Sequence, residues 1–165
     1  MIRIIGIDPG TAKIGFGVID YEEQTKDVTL IKYGLITLKE SFSYAKIKKI
    51  YDVMVALNEE FKPDFVAIEN QFLGRNVQTL LKLTHAKTAM MLAFLNHNEK
   101  IIIEEYPPAT VKLTITGKGN ATKEELEEVI NRILKTEIDN KNLDVSDALG
   151  VALCHINKIH GKFFI

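Results

Sequence analysis

The sequence predicts an α/β domain with a five-stranded mixed sheet flanked by helices. Three observations carry that expectation. Three β-rich runs, "IRIIGID", "KIGFGVID" and "VTLIKYGLITL", follow one another with only short polar breaks, as antiparallel neighbours do. Beyond them, helical and strand-like segments alternate, as in units that add parallel strands to a sheet. The chain holds 165 residues, 46% hydrophobic and 26% charged, which suits one domain over residues 1–165 with its own core.

Taken in order, "IRIIGID" is rich in isoleucine and reads as a buried strand that Asp8 and Pro9 end. "KIGFGVID" is its hairpin partner after a short turn, and the third strand follows the polar break "YEEQTKD". A helix runs from about Ser43 to Phe61, because Ile47, Ile50, Met54, Leu57 and Phe61 recur at helical spacing. Pro63 ends it, and "DFVAIE" is the fourth strand. "NVQTLLKLTHAKTAMMLAFLNH" is a long helix whose apolar residues, among them Val77, Leu81, Leu83, Met90, Leu92 and Leu95, cover more than one stripe. So wide a face needs a second surface, either a central place in the fold or a dimer interface. "KIIIEEY" is the fifth strand and "TGKGN" a glycine-broken loop. Thr122 with Glu125 has the capping-box pattern that starts a helix, and the last helix runs from near Asp144 through "ALGVALCHINKI".

The single cysteine, Cys154, lies in the apolar "ALGVALCHI", as a buried structural thiol would. No stretch is long and apolar enough to span a membrane, no secretory leader is evident, and the expected location is cytoplasmic. A net charge of −1 gives no global basic field for nucleic acid. A local one exists in "VKLTITGKGNATK", where Lys112, Lys118 and Lys123 occur without a single acid. "KIKK" at residues 46–49 reads as a solvated helix face. His85, His97, His155 and His160 lack metal-ligand spacing and read as helix-face or surface residues.

Asp8 ends the first strand and Glu69 the fourth. Ligands of open α/β sheets lie near the carboxyl ends of strands, so parallel neighbours would set these two carboxylates side by side. Asp144 and Asp147, in "DVSDALG", share a helix face. An aspartate pair at a helix start has a purely structural reading, because it complements the helix dipole. Convergence of all four changes the balance. Clustered carboxylates repel one another and resist ionisation, and a divalent cation removes that repulsion. Oxygen-only ligands suit Mg²⁺, with Mn²⁺ as a substitute, and not zinc. Two such ions roughly 4 Å apart clamp a phosphodiester. Gly10 would let the backbone approach a phosphate closely.

Four segments occur in order: "GIDPGTAKIGFGVI", "VAIENQFLGRNVQTLLKLTHAK", "EYPPATVKLTITGKGNATKEEL" and "DVSDALGVALCH". Together they resemble RuvC-type Holliday junction resolvases, nucleases of the ribonuclease H-like superfamily, over nearly the whole chain. The resemblance implies the ribonuclease H-like fold, a homodimer through the helix near 76–97, and paired symmetric nicks in four-way junction DNA. It implies two Mg²⁺ ions per active site and phosphodiester hydrolysis that leaves 5′-phosphate and 3′-hydroxyl ends. By motif position Asp8, Glu69, Asp144 and Asp147 match the family's catalytic, metal-binding acids. Phe72, in "ENQFLGRN", matches an aromatic that contacts bases near the crossover, and Lys112 and Lys123 match basic residues near the DNA. A branch-migration motor is an implied further partner. From residue chemistry, Lys118, Arg75 and Asn76 join the DNA-binding set as phosphate contacts. An exposed Phe72 ring would stack on an unpaired base, worth roughly 1–3 kcal/mol. The chain departs from the family pattern at Val145 and Ser146, where Ala or Gln is frequent, and at Gly150, which replaces an alanine. Some members carry histidine at the place of Asp144.

Other readings remain open. One is a ribonuclease H-like nuclease acting on RNA, although the small RNA-maturation relatives lack the "ENQF" and "VKLTITGKGNATK" patterns. Another is a non-catalytic scaffold that binds junctions. A third, one lobe of an actin-like ATPase, begins with a similar hairpin but needs two lobes.

Overall fold

Three strands form an antiparallel meander: β1 (Ile2–Asp8), β2 (Lys13–Tyr21) and β3 (Val28–Thr37). The computed structural model describes residues 1–70, 76–138 and 143–161. Helix α1 (Tyr44–Phe61) crosses over to β4 (Phe65–Glu69), which lies parallel to β1. Helix α2 (Val77–His97) leads to β5 (Ile102–Tyr106), parallel to β4. The sheet order is β3-β2-β1-β4-β5, the mixed five-stranded sheet expected from the sequence. Helices α3 (Pro108–Thr116), α4 (Lys123–Leu134) and α5 (Leu143–His160) complete the chain.

Side chains alternate across a strand, so each strand feeds two layers. Ile5, Ile7, Ile14, Phe16, Val18, Val66 and Ile68 face α1 and α2. Ile4, Ile19, Tyr21, Ala67 and Tyr106 face the layer built by α3, α4 and α5. Both faces are covered, which is why β1 and β4 read as continuous apolar runs. Among the described residues no helix is long and apolar enough to cross a membrane.

Two local expectations change, and one element is added. The added element is helix α3, in the segment before "TGKGN" to which the sequence assigned no structure. Its β-branched residues (Thr110, Val111, Thr114, Ile115) hide the helix, but Pro108 starts it and Gly117 ends it in a left-handed conformation. Within "KIKK", Lys46 is buried rather than solvated, and its ammonium donates to the Leu38 and Glu40 carbonyl oxygens at 3.2 and 2.5 Å. His155 lies in the core rather than at the surface, with Nδ1 2.7 Å from the Tyr106 hydroxyl. Burial pushes His155 down to about 4. Cys154 is a buried thiol, as its apolar setting implies.

Candidate active site

Alternation also places the acids. Ile7 faces α1 and α2, so the next residue, Asp8, faces α5; the same step from Ile68 turns Glu69 the same way. Ile7 stands opposite Ile68 in the parallel β1–β4 ladder, so Asp8 and Glu69 emerge side by side at the strand ends. Helix α5 supplies Asp147. One ligand oxygen from each of Asp8, Glu69 and Asp147 lies within 4.8 Å of the others, and all three residues are buried. Asp144, one turn earlier on α5, is half-buried and stands outside that group, yet its charge still acts on Asp8.

Asp147 comes so near because α5 lies almost directly on the sheet. The floor beneath it is made of glycines. A Cβ at Gly6 would sit 2.0 Å from the Ala148 carbonyl oxygen, and one at Gly15 would sit 2.0 Å from that of Asp144. At Gly17 it would meet the Leu149 side chain at 2.3 Å. Gly6 pairs with Gly17, and Asp8 with Gly15, across the β1–β2 hairpin, so the floor adjoins the acids. Sequence reasoning missed this role. The signal was glycine at every second position of "GFG" with another in "IIGID", a weak pattern without knowledge of what crosses it. On the outer side of α5, a Cβ at Gly150 would lie 3.1 Å from Val111 and 3.4 Å from Ile130, so the departure at Gly150 matches tight closure by α3 and α4. Gly10 has a local explanation: a Cβ there would stand 2.0 Å from the Lys13 carbonyl oxygen, so the turn after Asp8 itself needs glycine.

Helix α4 aims a cation at the acids. Thr122 and Glu125 form a reciprocal capping box, with bonds of 3.1 and 2.8 Å, that fixes its first turn. Lys123 follows the cap, and its ammonium donates to Asp147 Oδ2 at 2.6 Å. One turn on, buried Glu127 accepts from the Ser146 hydroxyl at 3.1 Å, so α4 grips α5 at two successive residues. Glu127 is a second residue the sequence reading missed. Lys118 is exposed and lies 3.7 Å from Glu125, and Lys112 is half-buried on α3. Asn76 caps α2, its Oδ1 accepting from the Thr79 amide at 2.8 Å. Phe72 and Arg75 lie outside the described residues.

The electrostatics of the three acids are strained. Burial first, then the charges of Glu69 and Asp147, a hydrogen bond with Glu69 and the charge of Asp144 push Asp8 up to about 9. Burial pulls Lys123 down, but its bond to Asp147 and the charges of Asp147, Asp8 and Glu69 outweigh it and hold the ammonium above its usual range. Full ionisation would set three buried carboxylates against one ammonium and leave excess negative charge, which is why Asp8 resists ionisation. An all-oxygen set of this kind fits a hard divalent cation, which would neutralise that excess.

The chain matches the family model "Crossover junction endodeoxyribonuclease RuvC" over residues 4–155. It is 40% identical to the protein of that name from Cytophaga hutchinsonii, covering 92% of this chain and 74% of the relative. It is 39% identical to the one from Alkaliphilus oremlandii, covering 92% of this chain and 91% of the relative. Among solved structures, Thermus thermophilus RuvC in complex with a Holliday junction substrate superposes with a TM-score of 0.88 at 25% identity, over 98% of this chain and 96% of that one.

Proposed function

The chain belongs to the RuvC family of crossover junction endodeoxyribonucleases, and from that premise we propose that it resolves four-way DNA junctions by metal-dependent hydrolysis at Asp8, Glu69 and Asp147. The buried three-acid group at the adjacent ends of β1 and β4 carries the reading. A scaffold that only bound DNA would gain nothing from burying three mutually repelling carboxylates beneath a helix. Asp8, Glu69 and Asp147 would hold Mg²⁺, with Mn²⁺ as a substitute, and Asp144 would lend charge from the next turn of α5. The cation supplies the positive charge that activates water and stabilises a phosphoryl group under attack.

The chain's own groups do the rest. The three carboxylates would form the cation site at the adjacent ends of β1 and β4, where the reacting phosphate must come. Lys123 holds Asp147 in place when no substrate is present, and its half-exposed side chain can bring the ammonium to a phosphate oxygen. Lys112, Lys118, Arg75 and Asn76 contact the phosphate backbone, which positions the junction without reading its sequence. Phe72 follows Glu69 by three residues and stacks on a base opened at the crossover.

Two symmetric nicks need two sites, and α2 offers the surface that would pair them. Val77, Leu81, Leu92 and Leu95 are exposed, and their spacing sets them along one stripe of the helix. Thr84 and Thr88 lie on the same stripe and turn their hydroxyls back to the Leu80 and Thr84 carbonyl oxygens, at 2.9 and 2.8 Å. The outer stripe is thereby less polar than its composition suggests. We place the homodimer contact there. Leu92→Glu is expected to shift the protein from dimer to monomer in sedimentation velocity. It should also convert paired cuts into single nicks. A dimer that survives Leu92→Glu together with Leu81→Glu would place the contact elsewhere.

The functional test uses a labelled four-way junction and a linear duplex of the same sequence. Mg²⁺-dependent, symmetric, ligatable nicks in the junction alone are expected, with none in EDTA. Cleavage of RNA instead, or junction binding without cleavage in Mg²⁺ or Mn²⁺, would overturn the reading.

A further inference from the structure

Glu69 is the last residue of β4, and its carboxylate is only as well placed as the chain that leaves it. That exit is held from two sides. The Asn70 amide donates to the Tyr106 carbonyl oxygen at 2.8 Å, extending the β4–β5 ladder by one bond. The Asn70 side chain turns to the opposite layer, where Lys87 of α2 donates to its Oδ1 at 3.2 Å. The same ammonium donates to Glu105 Oε2 at 2.7 Å, and the Lys87 side chain is only 13% exposed. Glu105 stands opposite Ile68, one residue before Glu69, in the β4–β5 register. Lys87 therefore ties three elements at one point: α2, the end of β5 and the first residue beyond Glu69. An ordinary helix–sheet contact is made by apolar groups, as Ala86 and Met90 make it on this same helix. A mostly buried ammonium at a strand end, bonded to the neighbour of a site acid, is a costlier way to build a contact.

We propose that Lys87 is a positioning residue for the metal-dependent reaction proposed above: by holding Asn70 against Glu105 it sets where the Glu69 carboxylate stands relative to Asp8 and Asp147. It acts through Asn70 and Glu105, to which its ammonium is bonded. Groups that orient metal-binding carboxylates from behind are worth about 10- to 100-fold in metal affinity or activity when removed. Lys87 orients Glu69 through the backbone of Asn70, so the lower end of that range is expected.

The test measures Mn²⁺ binding to the protein alone by calorimetry, with four-way junction affinity and single-turnover cleavage alongside. Lys87→Met is expected to weaken Mn²⁺ binding about 10-fold and to slow cleavage at limiting metal, with junction affinity unchanged. Lys87→Arg, which keeps the charge and reaches the same acceptors, is expected to restore most of the loss. Asn70→Ala retains the Lys87–Glu105 pair and is expected to move Mn²⁺ binding in the same direction, which covers the case in which Lys87→Met fails to fold. Wild-type Mn²⁺ affinity in folded Lys87→Met, or in Asn70→Ala if that variant alone folds, would overturn the proposal. So would a loss that Lys87→Arg shares in full. Wild-type protein that binds Mn²⁺ yet cuts no junction would overturn the functional reading and leave this one standing.

Discussion

Asp8→Asn is expected to slow junction cleavage about a thousandfold or more while making the metal-free protein more stable. The two effects share one cause. A cation held at the site would contribute several kcal/mol of charge stabilisation to the reaction, and each 1.36 kcal/mol is about tenfold in rate. The substituted amide would offer a neutral oxygen beside Glu69 and Asp147, so the site would lose the charge that draws a cation in. Without a cation the same substitution relieves repulsion, because Asp8 is held up to about 9 by burial and by its acidic neighbours. The sign follows from proton uptake. Between its ordinary value of 3.8 and about 9, native Asp8 keeps a proton that the unfolded chain has released. Stability of the metal-free protein therefore falls as pH rises through that window. His155 acts in the opposite sense, because its value is lowered from 6.5 to about 4, and its contribution is lost as pH falls through that range. Denaturant melts between pH 6.5 and 9 isolate the Asp8 effect. Wild-type stability should fall across that range in EDTA and recover on adding Mg²⁺, while Asp8→Asn should be nearly flat and indifferent to Mg²⁺. Equal pH slopes in the two proteins would remove Asp8 as the source of strain.

Gly15→Ala is expected to cost about 1–3 kcal/mol of stability and to slow cleavage about 100-fold. The added Cβ would start 2.0 Å from the Asp144 carbonyl oxygen, well under the 3.0 Å that real contacts keep, so β2 and α5 must move apart. That oxygen belongs to helix backbone and has no rotamer to escape into. Asp147 rides on the same turn, so the three-acid group opens as the helix lifts. Gly34→Ala is the comparison that separates site damage from general instability. Its Cβ would stand 2.7 Å from the Phe16 ring, in the layer facing α1 and α2. It should destabilise the protein and leave the cleavage rate of the folded fraction near wild type. If Gly15→Ala slows cleavage no more than Gly34→Ala at equal folded fraction, the glycine floor does not set the site.

The parts of the site that could be read beforehand are those governed by period and position. An apolar run that ends in an acid places that acid at a strand end, and parallel pairing of β1 with β4 then brings Asp8 beside Glu69. Thr122 acts as the helix N-cap that its pairing with Glu125 suggests. Contributions that depend on what lies across a face were not legible. Gly6, Gly15 and Gly17 look like weak strand residues until α5 is seen resting on them. Glu127, Lys46 and Lys87 carry charges that composition assigns to the surface, yet each is buried or nearly so and bonded to a backbone or side-chain oxygen. Helix α3 was hidden because β-branched residues argue for a strand, while its packing of Val111 and Ile115 into the core decides for a helix. Asp144 and Asp147 shared a motif, but only Asp147 stands within the three-acid group.

Crystals grown in Mn²⁺ and measured at the manganese absorption edge would show whether Asp8, Glu69 and Asp147 form one cation site. Anomalous density is expected within coordination distance of carboxylate oxygens from all three residues, and none in Asp8→Asn crystals. Manganese bound elsewhere, or none at these residues in protein that cleaves junctions with Mn²⁺, would contradict it.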